Sequence, residues 1–198
     1  TLRRALMLSK NMPAVQVAIR YGIRNVIDLA RRAGVKSPLP AVYSLALGSA
    51  DVTLLEMTSA YSSFANLGLR REPIFWDSIS TRDGTALERA ASKSHRVMDS
   101  AAAYVSVDML RDVIRHGTGF PATRAGFTFP AGGKTGTTND YTDAWFVGFT
   151  PLYTCGVWMG FDQKKKLGSG FTGGQVALPI WIDVMKEAHR GIKPVEWP

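Results

Sequence analysis

The chain has 198 residues, 45% of them hydrophobic and 20% charged, a composition typical of a globular protein with one sizeable core. No apolar run reaches the ~18 residues that a membrane-spanning helix needs, and the first residues do not have a signal-peptide pattern. The formal charge of +8 comes from scattered basic pairs and the run Lys164–Lys166. We expect a solvated basic surface, or contact with an anionic membrane surface or wall polymer, because no recognition motif supports nucleic-acid binding.

Residues that bind metals or form disulfides are sparse. Cys155 is the single cysteine, and it lies in an apolar run, so we expect a buried thiol rather than a nucleophile. The three histidines are far apart and have no ligand spacing, which gives no support to a zinc site. We therefore expect neither a metal nor a cofactor.

Apolar residues at helical spacing predict two short helices near residues 2–8 and 15–19. The stretch between them, Ser9–Pro13, predicts a turn. Met12 is expected outside the helical region because it precedes a proline. A third helix follows and ends at Gly34.

Helix-start signals recur at two further places along the chain. Thr53 and Glu56 have the spacing of a capping box, in which each side chain accepts a hydrogen bond from the other residue's backbone. Asp99 opens another helix, which Gly117 ends. Between these helices, residues 74–80 predict a strand that is followed by a turn.

The last third of the chain changes character. Residues 143–150 and 154–161 are aromatic, β-branched and apolar on both faces, which predicts two adjacent antiparallel central strands. Residues 131–138 are small or β-branched and predict the third strand of a meander. Pro179 opens a closing amphipathic helix. This order of elements predicts an α+β fold in which helices cover an antiparallel sheet.

No internal repeat or domain boundary is evident, so we expect residues 1–198 to belong to a single domain. The helical part would occupy about 1–120, and the sheet strands with the closing helix about 128–190. The chain begins at Thr1 in the middle of a helical pattern and without an initiator methionine, which suggests a piece of a longer protein.

Two glycine-rich stretches resemble nucleotide-binding loops without their context. In residues 131–140, AGGKTGTTND, a P-loop would need glycine at Thr128 and a helix directly after the lysine, where a strand is predicted. Residues 168–173 spell the dinucleotide fingerprint but lack a βαβ unit. We interpret them as a connection between the last strand and the closing helix.

The sequence KTGT suits a carboxylate ligand better than a phosphate. On a strand, Lys134 and Gly136 project from one face, and Thr135 and Thr137 from the other. A lysine ammonium and threonine hydroxyls at a strand edge can bind a carboxylate, while Gly136 lets a substrate backbone approach closely. The alternative is an ordinary edge strand with a surface lysine.

A second motif precedes this strand. Ser9-Lys10-Asn11 is a Ser-x-Asn motif, and together with Lys-Thr-Gly it makes two of the three motifs of penicillin-recognising serine acyltransferases. The segments TLRRALMLSKNMPAVQVA, RHGTGFPA, AGGKTGTTNDYTDAWFVGFTP and FTGGQVALPIWIDVM resemble the transpeptidase domain of class A (bifunctional) penicillin-binding proteins. The resemblance implies the fold shared with β-lactamases: an antiparallel sheet flanked by helices plus an all-helical subdomain, here incomplete at its N-terminus.

The resemblance also implies roles for individual residues. Ser9 would relay a proton to the leaving amine, Asn11 would hydrogen-bond the donor peptide, and Lys134 would supply positive charge and share the proton network. Thr135 and Thr137 would hold the terminal carboxylate of D-Ala-D-Ala or of a β-lactam. The Thr137 N–H would be one oxyanion donor.

The third motif of the family, Ser-x-x-Lys, is absent. No serine of the chain is followed three residues later by lysine, and Ser92–His95 comes closest. Since that motif carries the nucleophile and its base, we expect it in an N-terminal remainder of the same enzyme. We expect the present chain alone to be inactive.

The remaining expectations follow from the resemblance. The partners would be peptidoglycan stem peptides and β-lactams, with no nucleic acid. The location would be the extracytoplasmic face of the bacterial cytoplasmic membrane, with the anchor outside this chain. Two alternatives stay open: a β-lactamase or carboxypeptidase of the same fold, and a non-catalytic module that senses β-lactams or peptidoglycan.

Overall fold

The computed structural model describes residues 1–198, and its main sheet consists of three strands in the last third of the chain. The α-helices are α1 (Leu2–Met7), α2 (Asn11–Tyr21), α3 (Ile23–Arg32), α4 (Leu54–Ala65), α5 (Ser100–His116), α6 (Phe120–Arg124) and α7 (Leu178–Ala188). The strands are β1 (Leu69–Arg71), β2 (Ser78–Ser80), β3 (Ala86–Arg89), β4 (Ser94–Arg96), β5 (Gly132–Thr137), β6 (Asp143–Phe149) and β7 (Thr154–Gly160). A 3₁₀ helix (Tyr43–Leu47) and a π-helical segment (Gly173–Ala177) complete the elements. None of the helices combines the length and hydrophobicity needed to cross a membrane.

Strands β5, β6 and β7 form an antiparallel meander, as the sequence predicts. Thr138 holds the turn between β5 and β6, because its Oγ1 accepts hydrogen bonds from the N–H groups of Thr142 (2.9 Å) and Asp143 (3.0 Å). Thr150 does the same between β6 and β7, where its Oγ1 accepts from the N–H of Tyr153 at 3.1 Å. These turns set the pairing register and therefore which side chains share a face.

Helices cover both faces of the sheet through different side chains. On one face, Phe146 of β6 packs edge-on against Trp181 of α7, with ring centroids 5.0 Å apart. On the other face, Phe149 stacks on Phe64 of α4 at 6.2 Å, and α5 packs beside them. Lys134 projects from this second face, on the side of α5 and α1.

β7 lies at the edge of the sheet, although its composition predicts a central strand. Most residues of β6 are buried, whereas every residue of β7 is half-buried. A groove of about 570 Å³ runs beside β7 between α4 and α7. Cys155 lines it, half-buried rather than fully buried, and burial raises the pKa of its thiol. The central-strand prediction is therefore correct for β6 and wrong for β7 in this chain, because apolar residues on both faces indicate covering helices but not a neighbouring strand.

The first 120 residues contain short strands as well as helices, so this part is not wholly helical. β1 pairs with β4, and β2 with β3. The strand predicted over 74–80 is limited to Ser78–Ser80. These strands are three or four residues long and almost entirely exposed, so hydrophobic periodicity indicates them poorly.

Two of the seven α-helices, α4 and α5, start at the predicted caps. Thr53 and Glu56 form both hydrogen bonds of the capping box at α4, and Asp99 caps α5. Met12, expected outside the helical region, lies instead in the first turn of α2. Pro13 is the third residue of that helix, where its missing N–H would have had no intrahelical partner, so the proline is tolerated there.

Removing the Trp181 side chain tests the core on the α7 face. Trp181 is fully buried, so Trp181→Ala should leave a cavity and lower the free energy of unfolding by about 3–5 kcal/mol, measured by urea denaturation. Phe75→Ala is the matched control, because Phe75 is 82% exposed and its loss should change stability by less than about 0.5 kcal/mol. Equal effects of the two substitutions would contradict the described core.

Candidate active site

Ser9 has a left-handed backbone conformation at the end of α1. Its φ is 55°, in a region that residues other than glycine rarely adopt. The Ser9 N–H donates to the Leu6 carbonyl at 3.1 Å and the Lys10 N–H to the Ala5 carbonyl at 2.8 Å. These are the two hydrogen bonds of a Schellman motif, whose left-handed position is usually glycine. A serine at this strained position indicates that its side chain has a function.

Lys134 reaches Ser9 from the neighbouring strand β5. Lys134 Nζ donates to Ser9 Oγ at 2.7 Å and to the carbonyl oxygen of Thr135 at 2.9 Å. Helix α5 packs against both α1 and β5, and Arg3 binds α1 to α5 through an ion pair with Asp108 at 2.5 Å. The structure thus brings together two predicted site residues that are 125 positions apart.

Burial lowers the pKa of the Lys134 ammonium from 10.5 to about 8. The cause is desolvation, which disfavours the charged form, and the hydrogen-bond partners of Lys134 are neutral oxygens. The amine can therefore change its protonation near neutral pH. A carboxylate ligand beside it would favour the charged form again, because opposite charges attract strongly in a partly buried site.

Two threonines follow Lys134 on β5, and each hydroxyl has a hydrogen-bond partner outside the strand. The Oγ1 of Thr135 lies 3.4 Å from Lys134 Nζ and 2.8 Å from the Oγ1 of Thr118. The Oγ1 of Thr137 accepts a hydrogen bond from the N–H of Gly173 at 2.9 Å. Because Gly173 already donates to the Thr137 oxygen, the Thr137 hydroxyl proton is free to bind an anion.

The outer edge of β5 offers backbone groups as well as side chains. The Thr138 N–H donates to the Asp143 carbonyl across the β5–β6 pair at 3.2 Å. In an antiparallel ladder, successive N–H groups point to alternate sides. The Thr137 N–H therefore points to the free edge, where an oxyanion or an extended peptide can accept it. Gly136 leaves no side chain on the strand here, and a Cβ at this position would lie only 3.1 Å from the Cβ of its β6 partner Trp145.

Asn11 is the first residue of α2, two residues after Ser9, and its side chain is exposed. The structure therefore places Ser9, Lys134 and Thr135 in one hydrogen-bonded group, with Gly136 and Thr137 next along the same strand. Two contacting residues, Thr118 and Gly173, were not predicted as site residues. Both lie in segments that carry the family resemblance, RHGTGFPA and FTGGQVALPIWIDVM, but no spacing rule links them to β5.

Comparisons with known proteins show the family of the chain. The sequence model described as "Penicillin binding protein transpeptidase domain" matches residues 1–186. Penicillin-binding protein 1A of Aquifex aeolicus is 44% identical over 191 residues, and that of Neisseria gonorrhoeae is 41% identical over 197 residues. These alignments cover 96% of this chain but only 26% and 25% of the relatives, so the chain spans about a quarter of their length.

Solved structures give the same result for the fold. The crystal structure of penicillin-binding protein 1A from Haemophilus influenzae matches with a TM-score of 0.93 and 28% identity, over 100% of this chain and 35% of that one. PonA1 from Mycobacterium tuberculosis, solved with penicillin V, matches with a TM-score of 0.86 and 23% identity, over 100% of this chain and 58% of that one. The chain belongs to the penicillin-binding-protein transpeptidase family, and the predicted family and fold class are confirmed.

Replacing Ser9 tests its backbone strain. Ser9→Gly and Ser9→Ala both remove the hydroxyl that contacts Lys134, but only glycine also relieves the left-handed conformation. We expect the glycine variant to be more stable than the alanine variant by about 1 kcal/mol, measured as the difference in free energy of unfolding. Equal stabilities would show that the turn is unstrained.

The lowered pKa of Lys134 predicts a pH-dependent stability. Between about pH 8 and 10.5 the unfolded chain binds a proton at Lys134 that the folded chain does not, so stability should rise with pH across this window. Relative to Lys134→Met, wild type should gain up to about 3 kcal/mol in free energy of unfolding from pH 8 to 10.5. A pH-independent difference between the two proteins would mean that Lys134 titrates normally.

Proposed function

We propose that this chain supplies the Ser-x-Asn and Lys-Thr-Gly parts of the active site of a serine-type DD-transpeptidase, which cross-links peptidoglycan stem peptides. The observation that carries the proposal is the contact between Lys134 Nζ and Ser9 Oγ at 2.7 Å, with the Thr135 hydroxyl 3.4 Å from the same Nζ. This arrangement combines a proton relay with a carboxylate-binding strand edge. Membership of the penicillin-binding-protein transpeptidase family supports it.

In the proposed reaction, a serine outside this chain attacks the carbonyl carbon of the penultimate D-Ala. An ester forms, the peptide bond to the terminal D-Ala breaks, and the leaving amine takes up a proton. Ser9 would deliver that proton through its hydroxyl, with Lys134 next in the relay. A pKa near 8 suits this role because the amine can gain or lose a proton at working pH. An amine of a neighbouring stem peptide then attacks the ester, which forms the cross-link and frees the serine.

The remaining site residues would position the donor peptide. Lys134, Thr135 and Thr137 would bind its terminal carboxylate, and Asn11 would hydrogen-bond its acyl part. The Thr137 N–H at the free edge of β5 would donate to the oxyanion, a contact whose removal typically slows a reaction by about 10²–10³. Gly136 would allow the peptide backbone to lie along the strand.

The site needs a nucleophile that this chain does not contain, because no Ser-x-x-Lys motif occurs in it. We propose that the N-terminal remainder of the enzyme carries this motif and packs against residues 1–20 and the β5 strand. On this view residues 1–198 form the C-terminal portion of one transpeptidase domain. The enzyme would act at the extracytoplasmic face of the bacterial cytoplasmic membrane, where peptidoglycan lies.

β-Lactams are proposed as ligands because they carry a carboxylate next to a reactive carbonyl. Penicillin-binding protein A of Mycobacterium tuberculosis has been solved as an acyl-enzyme complex with penicillin G. Its fold matches this chain with a TM-score of 0.76 at 23% identity. That likeness concerns the fold, and the carboxylate-binding edge of β5 is the reason to extend the ligand class to this chain.

Incubation with a labelled penicillin tests the proposal by intact-mass analysis. The full-length protein should gain one covalent adduct, and the 198-residue chain should gain none, since it lacks the nucleophile. An adduct on the 198-residue chain alone would overturn the assignment of the nucleophile. An unmodified full-length protein would overturn the catalytic role and favour a non-catalytic binding module. Rapid hydrolysis of the adduct would favour a β-lactamase.

Substitutions in the full-length protein separate catalysis from stability. Ser9→Gly relieves backbone strain, so it should fold normally, yet it removes the proposed proton relay and should slow acylation by about 10²-fold or more. Ser106→Ala is the control, because it removes a hydroxyl on α5 that donates only to the Ala102 carbonyl, and it should leave acylation unchanged. Normal acylation of Ser9→Gly would remove Ser9 from the mechanism.

A further inference from the structure

Thr118 connects the two predicted motifs of the site. It lies in the loop Gly117–Gly119 between α5 and α6. Its N–H donates at 3.3 Å to the carbonyl of Met7, the last residue of α1 and two residues before Ser9. Its side-chain Oγ1 lies 2.8 Å from the Oγ1 of Thr135. One residue thus contacts both the end of α1, two residues before Ser9, and the Lys-Thr-Gly strand.

The backbone, rather than the Thr118 side chain, determines where this loop lies. A Cβ on Gly117 would be 2.3 Å from the Met7 carbonyl oxygen, and one on Gly119 would be 3.0 Å from Ile114 Cδ1. A side chain at Gly117 would therefore clash with the end of α1, and Gly119 packs tightly against α5. A substitution at Thr118 that keeps the side-chain shape should therefore leave the loop in place.

The direction of the hydrogen bond between Thr118 and Thr135 decides whether the Thr135 hydroxyl proton is available to a ligand. In its ammonium form Lys134 can only donate, and its Nζ is 3.4 Å from the Thr135 oxygen, at the long end of a hydrogen bond. The Thr135 hydroxyl has a single proton. If Thr118 donates to the Thr135 oxygen, that proton is free to point at a carboxylate; if Thr135 donates to Thr118, it is not.

Thr137 has the corresponding arrangement two residues further along β5. There the Gly173 N–H, which can only donate, binds the Thr137 oxygen at 2.9 Å and leaves the hydroxyl proton free. Each threonine of the KTGT strand is therefore contacted on its oxygen by a group that can donate. For Thr137 this group is a backbone amide, which donates, and for Thr135 it is the Thr118 hydroxyl, which can donate or accept.

We propose that Thr118 is a positioning residue, whose hydroxyl donates to Thr135 Oγ1 when a carboxylate ligand is bound and so directs the Thr135 proton toward that carboxylate. This inference rests on the proposed function, because it assumes that the edge of β5 binds a carboxylate. Thr118 itself does not touch the reacting atoms. It acts through the orientation of Thr135.

Three variants of the full-length protein test this role. Thr118→Val keeps the shape but removes the hydroxyl, and it should lower the second-order acylation rate with penicillin G about five- to tenfold. Thr118→Ser keeps the hydroxyl and should stay within about twofold of wild type. Thr123→Val is the matched control, because Thr123 Oγ1 donates to the Ile114 carbonyl at 3.0 Å, away from β5, and it should not change the rate.

A neutral ligand separates positioning from a merely structural effect. With the carboxamide of penicillin G in place of the carboxylate, Thr118→Val and wild type should be acylated at similar rates. Slowing by the same factor with both ligands, or no slowing by valine, would overturn the proposal. If Thr118→Val does not fold, as judged by circular dichroism, Thr118→Ala is measured instead against the same criteria. Failure of the wild-type protein to form any adduct would instead refute the proposed function, so the two failures can be told apart.

Discussion

The packing of α1 and β5 on the same helix, α5, is the constraint on which the candidate site depends. Ser9 and Lys134 are far apart in sequence, and neither has a local reason to meet the other. Helix α5 holds α1 on one side through the Arg3–Asp108 ion pair and contacts β5 on the other. The loop after α5 then adds Thr118 between them. A single helix and its C-terminal loop thus set the geometry of both motifs.

The site is assembled at a cost in stability. Ser9 has a backbone conformation that suits glycine, and Lys134 is buried among neutral oxygens without a carboxylate. The strained backbone of Ser9 and the buried amine of Lys134 each lower the free energy of unfolding. An anionic ligand would offset the second cost by restoring the charge of Lys134. Strain and a lowered pKa coincide at one hydrogen bond, which is typical of a functional site rather than of a structural contact.

The two edge strands of the sheet, β5 and β7, have different surroundings. β5 ends the sheet beside polar groups, as expected where a peptide or carboxylate binds. β7 ends it beside a mostly apolar groove between α4 and α7. The chain spans about a quarter of the length of its relatives. In a longer protein, other residues can cover the edge of β7. The two edges show why strand composition has to be considered together with the neighbouring elements.

The sequence by itself determined the α+β class, the longer helices, the meander and the pair of motifs, because periodicity, helix caps and turn residues act over a few neighbouring positions. It missed the short exposed strands β1, β3 and β4, which lack a periodic apolar face, and it made β2 too long. It also misplaced Met12, since proline is tolerated in a first helical turn. Only the tertiary structure decided that Ser9 contacts Lys134, that Ser9 is strained, and that Thr118 and Gly173 support the two threonines. Those contacts join segments far apart in the chain, and they arise from the packing of helices on a sheet, which no local pattern encodes.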